Sequence, residues 1–217
     1  MYGWRDVTPD PQQMKPETPE ARDARIEAAA FAVLAERGYR SASMLEIAKR
    51  AKASNQTLYA LYGSKQGLFR DIILRNGAAV RRLLEETLAN RDDPLRALEQ
   101  LGPLLLRFST DIKAITMNRA AMNDATETGT LAQAIDELAR GAIFPLIVSL
   151  MRALEASGQF RPDRGAEDAA ETYVAMLFGE TQFRQALGTM GPIGEAEIRR
   201  RSDRAYTLCR RLFETPA

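Results

Sequence analysis

Ser43 to Phe69 read SMLEIAKRAKASNQTLYALYGSKQGLF, a stretch that predicts two short helices joined by a tight turn. Ser43 and Glu46 have the S-x-x-E spacing of a capping box, in which each side chain satisfies a backbone N–H that the helix leaves free. Residues 51–53 would make the turn, and Ser54 can cap the helix that follows. This order of elements is that of a helix-turn-helix.

Small polar side chains open the second helix: Asn55, Gln56 and Thr57. A helix-turn-helix protein places the N-terminal residues of its second helix against base edges in the major groove of DNA. An Asn or Gln amide can form two hydrogen bonds with adenine, and Thr can contact the methyl group of thymine. The alternative is that Ser54 is only a cap and the polar run only a solvated helix start. These residues by themselves leave both interpretations open.

The segments on either side favour the DNA-binding interpretation. Upstream, an amphipathic pattern from Arg25 predicts a helix that ends at Gly38, since glycine is a common residue at helix C-termini. Downstream, residues 57–69 read TLYALYGSKQGLF. With these flanks, residues 22–69 resemble the N-terminal domain of the tetracycline-repressor (TetR) family of bacterial transcription regulators. The resemblance is dense, although it covers less than a quarter of the 217-residue chain.

This resemblance implies an all-α fold with an N-terminal three-helix helix-turn-helix domain and a larger helical domain for effector binding and dimerisation. We expect a flexible arm over residues 1–20, the DNA-binding domain (the head) over residues 21–69, and the second domain (the body) over residues 70–217. Insertion of the arm into a minor groove is the less favoured alternative, because the arm is net acidic.

The resemblance also implies which head residues contact DNA. Polar side chains at the start of the second helix would meet base edges or nearby phosphates, and tyrosine and lysine side chains would hold the DNA backbone. The candidates are Ser43, Lys52, Ser54, Asn55, Gln56, Thr57, Tyr59, Tyr62 and Lys65.

Three positions depart from the family pattern. Ala42 replaces a usual Thr, which removes a hydroxyl that could reach a phosphate. Lys52 replaces a usual Gly, so a lysine must adopt the backbone geometry of the turn. Gln56 stands where a Gly or another small residue is common, so the preferred base sequence should differ from that of such relatives. None of the three changes the expected fold.

Charge is unevenly distributed along the chain. The net charge is only +1, but residues 22–70 carry nine Lys and Arg against four Asp and Glu. Residues 71–217 carry 19 basic against 21 acidic side chains. A basic head on a nearly neutral body is expected of a protein that contacts nucleic-acid phosphates at one end.

The body has helical patterns throughout, and no stretch alternates with the period of a strand. Glycines at 129, 158 and 188–194 separate the helices, and Pro103 and Pro145 should kink or interrupt the helices that contain them. One helix should start at Pro94, after Asp92-Asp93. The others are predicted over residues 64–89, 111–126, 130–156, 166–187 and 195–213.

Composition argues against catalysis. The chain has no histidine, which is the commonest general base and a usual metal ligand. It contains no G-x-S-x-G or S-x-x-K motif and no phosphate-binding glycine loop. We therefore expect neither an enzyme nor a bound cofactor or metal ion.

The sequence also predicts a cytoplasmic bacterial protein that does not bind a membrane. No apolar run approaches the roughly 18 residues of a membrane span, and the N-terminus has no signal-peptide pattern. The single cysteine, Cys209, excludes an internal disulfide and fits a reducing compartment. Because Cys209 falls on an apolar helix stripe, a buried thiol is favoured over a redox sensor.

In the family that the chain resembles, the last two long helices pack against their copies in a second subunit. Apolar stripes at helical spacing permit this here, although such stripes are more often plain core. The interface candidates are Tyr173, Val174, Leu177, Leu208 and Leu212. The basic run 199–201 with Arg204 could be a second nucleic-acid patch, but a solvated face paired with Glu195 and Glu197 is the favoured interpretation.

The resemblance further implies an effector cavity among the middle helices. Methionine and aromatic side chains adapt to irregular apolar ligands, which suggests a small apolar or amphipathic effector. The candidates are Phe108, Met117, Met122, Phe144, Met151 and Met176, although a residue of this kind is more often ordinary core than a ligand contact.

Together these observations predict a ligand-responsive repressor that binds a palindromic double-stranded DNA operator as a homodimer. The main rival is a helical small-molecule-binding or scaffolding protein whose head has lost its affinity for DNA. An enzyme is the second rival, and the composition disfavours it.

Overall fold

The computed structural model describes residues 17–89 and 93–215, and every regular element within them is helical. The expected all-α fold is therefore confirmed. Most of the expected N-terminal arm lies outside the described residues, as does Asp92. Helix α1 begins at Pro19, inside the stretch assigned to the arm, and Thr18 is its N-cap.

Three helices form the head, and a fourth joins the head to the body. They are α1 (Pro19–Ser41), α2 (Met44–Arg50), α3 (Asn55–Tyr62) and α4 (Lys65–Leu88). The body continues with α5 (Pro94–Ser109), α6 (Ile112–Asp124), α7 (Thr130–Asp136), a π-helical segment (Glu137–Ile143), α8 (Phe144–Ala156), α9 (Gly165–Phe178), α10 (Thr181–Leu187) and α11 (Glu195–Phe213).

A serine side chain caps the N-terminus of each of three consecutive helices. Ser43 caps α2, Ser54 caps α3 and Ser64 caps α4, each by accepting a hydrogen bond from the backbone N–H three residues further on. Each such cap stabilises its helix by about 1 kcal/mol. The capping box differs from the prediction in one detail, because the Glu46 carboxylate accepts from the Ser43 hydroxyl at 3.2 Å and pairs with Arg37.

The predicted break at Gly38 is present within α1. The backbone leaves the helical conformation there, with φ 71° and ψ 171°, and one further turn carries the chain to Ser41. A positive φ of this kind favours glycine because it has no Cβ. Tyr39 follows the break directly and is 2% exposed.

Two predicted body helices are divided. The helix predicted over residues 166–187 breaks at Gly179, where φ is 49° and ψ is −128°, into α9 and α10. The helix predicted over residues 130–156 has the expected extent but contains the π-helical segment. Pro145 stands just after that segment and has no N–H to donate to the carbonyl four residues earlier. By contrast, α5 continues through Pro103 without interruption.

The apolar interior consists of two clusters of buried side chains. The first contains side chains of α1 to α4 and continues into α6 and α7 of the body. The second lies among α4, α5, α8, α9 and α11. The interior is therefore continuous across the predicted division between head and body. The body side chains in the first cluster are Met117, Ala120, Ala121, Leu131 and Ala134.

Candidate nucleic-acid interface and internal cavity

The start of α3 is held by hydrogen bonds between its own polar groups. Ser54 Oγ accepts from the backbone N–H of Thr57 and lies 2.7 Å from Thr57 Oγ1, so the two hydroxyls are bonded to each other. Asn55 is half-buried, and its Oδ1 is buried without a hydrogen-bond partner among the described residues. Gln56 is exposed. It is therefore the polar side chain that α3 presents most openly to solvent.

The three residues predicted to hold the DNA backbone lie in different surroundings. Tyr59 is 50% exposed. The Tyr62 hydroxyl donates to Asp23 at 3.5 Å, and burial together with that carboxylate raises the pKa of Tyr62. Lys65 Nζ donates to the Tyr39 carbonyl at 2.8 Å and lies 4.3 Å from the centre of the Tyr39 ring. Tyr59 thus faces solvent, whereas Tyr62 and Lys65 are engaged inside the head.

Two lysines lie at the turn between α2 and α3, Lys49 just before it and Lys52 within it. Lys49 and Lys52 are exposed and form no ion pair with the described residues, whereas Arg37, Arg40 and Arg50 are paired with carboxylates. Unpaired lysines of this kind are suited to phosphate contacts. The sequence analysis missed Lys49, although its position three residues before Lys52 was an available signal. The remaining candidate, Ser43, is exposed at the start of α2.

Lys52 also has a strained backbone. Its φ of 48° is the only positive value at a non-glycine residue in the described part of the chain. A side chain in this left-handed region costs about 1–2 kcal/mol relative to the right-handed one. The turn therefore retains a lysine at a position whose geometry suits glycine.

Mostly apolar side chains line a partly open cavity of about 720 Å³ between the two clusters. Phe31 of α1 and Ile72 and Ile73 of α4 form its wall nearest the head. The body supplies most of the rest, so the cavity touches both parts of the molecule. The other apolar lining residues are Val80, Leu105, Phe108, Ala114, Met117, Ile135, Leu138, Ala139, Ile143, Phe144, Ile147, Val174, Ala175 and Phe178.

Half of the predicted lining residues contribute to this cavity. Phe108, Met117 and Phe144 line it. The other three methionines do not line it, because their helices direct them elsewhere. Met122 is 56% exposed on the surface, Met151 is buried in the second cluster, and Met176 packs against that cluster outside the cavity.

Two ion pairs border the cavity. Lys113 pairs with Glu27 at 3.2 Å, and its ammonium lies 5.4 Å from the centre of the Phe31 ring. Arg140 of the π-helical segment pairs with Glu171 of α9 at 3.3 Å. Both cations already have a carboxylate partner, so neither adds a free positive charge to the lining. The rest of the lining is mostly apolar. Amides and a hydroxyl add neutral hydrogen-bonding groups: Asn76, Asn118, Gln182 and Ser109.

The π-helical segment joins this cavity to the helix that carries the head. Leu138 occupies the space beside Gly77 of α4, where a Cβ would lie only 2.3 Å from Leu138 Cδ1. Leu138, Arg140 and Ile143 of the same segment line the cavity. The cavity wall is therefore packed directly against α4.

The predicted dimer-interface residues do not share one environment. Tyr173 and Leu177 have no exposed surface and belong to the second cluster, so neither side chain can contact a second subunit. Val174 lines the cavity. Leu208 is half-buried, and Leu212 is 60% exposed.

Sequence analysis missed two exposed apolar side chains on α10. Phe183 is 63% exposed and Leu187 is 61% exposed. They were overlooked because residues 166–187 were expected to form one continuous helix, in which the apolar positions were assigned from a single stripe.

The basic run of α11 forms ion pairs on the protein surface. Arg200 and Arg201 both bind Glu197, and these bonds lower the pKa of Glu197 to about 2. Glu195 pairs with Arg107 of α5 at 2.8 Å instead of with its own helix. Cys209 is buried, and burial raises the pKa of its thiol to about 12, which keeps it protonated and unreactive.

Within residues 17–89 and 93–215, no helix combines the length and apolar character needed to cross a membrane. The same residues contain no group of three or more His, Cys, Asp or Glu side chains that could hold a metal ion.

A capped helix-turn-helix on a helical body defines the class of helix-turn-helix DNA-binding regulators. Comparison with family models agrees with this class. Residues 26–72 match the model for bacterial regulatory proteins of the tetR family, and residues 96–213 match the model for the C-terminal domain of AefR-like transcriptional repressors. The chain belongs to the TetR family of bacterial transcription regulators.

Individual relatives are consistent with this assignment. The chain is 28% identical over 172 residues to the HTH-type transcriptional repressor BepR of Brucella suis biovar 1 (strain 1330), covering 77% of this chain and 82% of BepR. A structure assigned as a TetR-family regulator from Mesorhizobium loti MAFF303099 has a TM-score of 0.76 at 24% identity, covering 92% of this chain and all of the other. The flavonoid-responsive regulator FrrA has a TM-score of 0.66 at 22% identity, with 91% and 100% covered.

Lys52→Gly tests the strained turn. Glycine adopts the left-handed conformation without steric cost, so the variant should raise the free energy of unfolding by up to about 1 kcal/mol. If Lys52 also contacts a phosphate, all DNA sequences should bind more weakly by one factor, and the slope of log affinity against log salt should fall by about 0.9. Urea unfolding and fluorescence anisotropy measure the two effects.

Lys52→Arg is the matched control, since it keeps both the charge and the backbone strain. A Lys52→Gly protein that unfolds more easily than both Lys52→Arg and the wild type would contradict the strain argument.

Proposed function

We propose that this DNA-binding regulator is a ligand-responsive repressor that binds a palindromic operator as a homodimer. The observation that carries the proposal is the position of the cavity, which touches α1 of the head and α4, the helix that joins the head to the body, as well as the rest of the body. An occupant of this cavity contacts the helices that hold the recognition helix. Repression is favoured over activation because the C-terminal family model and BepR are both described as repressors.

DNA recognition is assigned to the exposed face around the helix-turn-helix. Gln56 is the exposed amide at the start of α3, and Tyr59 is the exposed ring on the same helix. Lys49 and Lys52 are placed to bind phosphates beside them. Base selection therefore falls mainly to Gln56, and sequence-independent affinity to the two lysines.

The effector is proposed to be a small apolar or amphipathic molecule. A cavity of about 720 Å³ falls within the size range of sites for drug-sized ligands, which are mostly apolar with a few polar groups. The neutral amides Asn76, Asn118 and Gln182 can hydrogen-bond the polar part of such a molecule. FrrA, a regulator of similar fold, is described as responsive to flavonoids, which supports this class of effector.

The mechanism is a shift between two conformations. In one conformation the distance between the two heads matches the distance between the operator half-sites, and in the other conformation it does not. An effector favours the second conformation only to the extent that it binds that conformation more tightly. Because Leu138 fills the space beside Gly77, movement of the π-helical segment is passed directly to α4.

The dimer surface is assigned to the exposed apolar side chains of α10 and α11. Phe183 and Leu187 of α10 and Leu212 of α11 are each about three-fifths exposed, and Leu208 contributes the half-buried part of α11. Exposed apolar groups of this size are expected at protein interfaces. Tyr173 and Leu177, which have no exposed surface, are not part of this surface.

Gln56→Ala and Lys49→Ala test the division of roles on DNA. Gln56→Ala should relax the preference for one base, at a cost of about 1–3 kcal/mol at that position. Lys49→Ala should weaken binding to all sequences alike and lower the salt slope. The measurement is selection of bound fragments from a random DNA pool at two salt concentrations, followed by anisotropy titrations. Identical affinity profiles for the two variants would contradict the assignment.

Leu212→Arg tests the dimer surface. A charge at this exposed position leaves the protomer core intact but opposes burial between subunits, so the protein should sediment as a monomer. Leu83→Arg is the matched control, because Leu83 is an exposed leucine on α4, outside the proposed surface. A Leu212→Arg protein with an unchanged sedimentation coefficient would reject this part of α11 as an interface.

Ala114→Phe tests the cavity. The added ring fills part of the space beside Phe108 and Met117, so a fluorescent apolar probe such as anilinonaphthalene sulfonate should bind at least about tenfold more weakly. Ala156→Phe, at an exposed position at the end of α8, should bind the probe as the wild type does. Equal probe binding by Ala114→Phe and the wild type would place the ligand site elsewhere.

A further inference from the structure

A buried carboxylate lies between the head and the body. Asp124, the last residue of α6, has no exposed surface and no ion pair among the described residues. Its side chain accepts hydrogen bonds from the Tyr39 hydroxyl at 3.2 Å, from the Thr128 hydroxyl at 2.8 Å and from the Leu131 backbone N–H at 3.0 Å. A carboxylate buried away from solvent needs such hydrogen bonds, because burial removes its hydration.

Only one of these three donors comes from the head. Thr128 and Leu131 belong to the body, in the loop after α6 and at the start of α7, whereas Tyr39 belongs to α1. The bond from Tyr39 therefore joins the two parts of the molecule, and the bond from Leu131 joins α6 to α7. Since α6 and α7 both line the cavity, an occupant that moves either helix acts on the same carboxylate.

Tyr39 is fixed in place on the head side. The Gly38 break turns it inward, where its ring lies edge-on to Phe69 with 5.7 Å between centroids. Lys65, the first residue of α4, donates to its carbonyl and lies over its ring. Burial, with Asp124 nearby, raises the pKa of Tyr39 far above its usual range, so the phenol stays protonated as a donor.

Other polar links between head and body are more exposed. Arg40 pairs with Glu127 at 3.4 Å, and Arg70 pairs with Glu137 at 3.1 Å, and in both pairs the two side chains are at least two-fifths exposed to solvent. Lys113 pairs with the largely buried Glu27 at 3.2 Å, but the Lys113 side chain is 57% exposed. Exposed pairs of this kind contribute little, and apolar contacts have no preferred direction. A buried hydrogen bond is directional and weakens steeply as its angle departs from linearity.

We propose that the Tyr39–Asp124 hydrogen bond is a positioning contact that fixes the angle of the head on the body, and thereby sets the half-site spacing that the dimer accepts. The inference rests on the proposed binding of a palindromic operator by a dimer. Adding one base pair between half-sites moves them apart by about 3.4 Å and rotates one by about 35°. A dimer whose heads are held at one angle should bind an operator of altered spacing weakly, whereas loosely held heads can adjust to the new spacing.

The test compares two variants, each of which lacks one hydroxyl that donates to the Asp124 carboxylate. Tyr39→Phe removes the donor from the head, and Thr128→Val removes a donor from the body. Each is titrated against the selected operator, against the operator with one base pair inserted or deleted at its centre, and against a single half-site. Thermal unfolding of the full-length variants is recorded in parallel.

The wild type should prefer one spacing sharply. Tyr39→Phe should bind the cognate operator at least about fivefold more weakly, as expected for the loss of one buried hydrogen bond, and should lose part of its discrimination between spacings. Its affinity for the single half-site should not change, because the recognition helix itself is intact. Thr128→Val should lower the unfolding temperature and keep the wild-type spacing profile.

Four outcomes would overturn the inference. A sharp wild-type preference that Tyr39→Phe retains would reject it and leave the proposed function standing. Equal loss of discrimination in Thr128→Val, or loss of half-site binding in Tyr39→Phe, would show that the contact is merely structural. A wild type with no spacing preference would reject this inference, and equal affinity for the operator and the single half-site would also reject dimeric operator binding.

Discussion

Burial of α1 against α6 and α7 holds the DNA-binding head to the body, because side chains from all three helices share one apolar cluster. Each fully buried aliphatic side chain in such a cluster contributes about 1.5–3 kcal/mol. Separation of the head would expose Met117 and Leu131 to water and would also break the hydrogen bond between Tyr39 and Asp124. The head is therefore bound to move with α6 and α7, and these are helices that line the cavity.

The cavity lies where the two apolar clusters meet, so its wall includes a side chain of the head. Its wall contains Phe31 from α1 and Leu138 from the π-helical segment, which packs against Gly77 of α4. Such widened helical turns are rare and occur frequently at functional sites. An occupant can consequently act on the head through two routes, one through α4 and one through the junction of α6 and α7.

Local signals predicted the fold of the head well, because caps and turns depend on residues close in sequence. Ser43 and Ser54 cap the helices for which they were predicted. Assignments that depended on tertiary packing fared less well. A methionine on a helical stripe gives no sign of whether it faces a cavity, the core or solvent, and so Met122 and Met151 were misplaced. Helical periodicity likewise does not separate core positions from interface positions.

The central claim is that the DNA-binding surface and the cavity belong to one mechanically connected unit. Amide hydrogen exchange of the full-length protein, with and without a saturating operator fragment, tests it most directly. Because coupling between sites is reciprocal, operator binding should change exchange rates in α3 and also in residues 124–131 and the segment Glu137–Ile143. Changes confined to α2 and α3 would contradict the account.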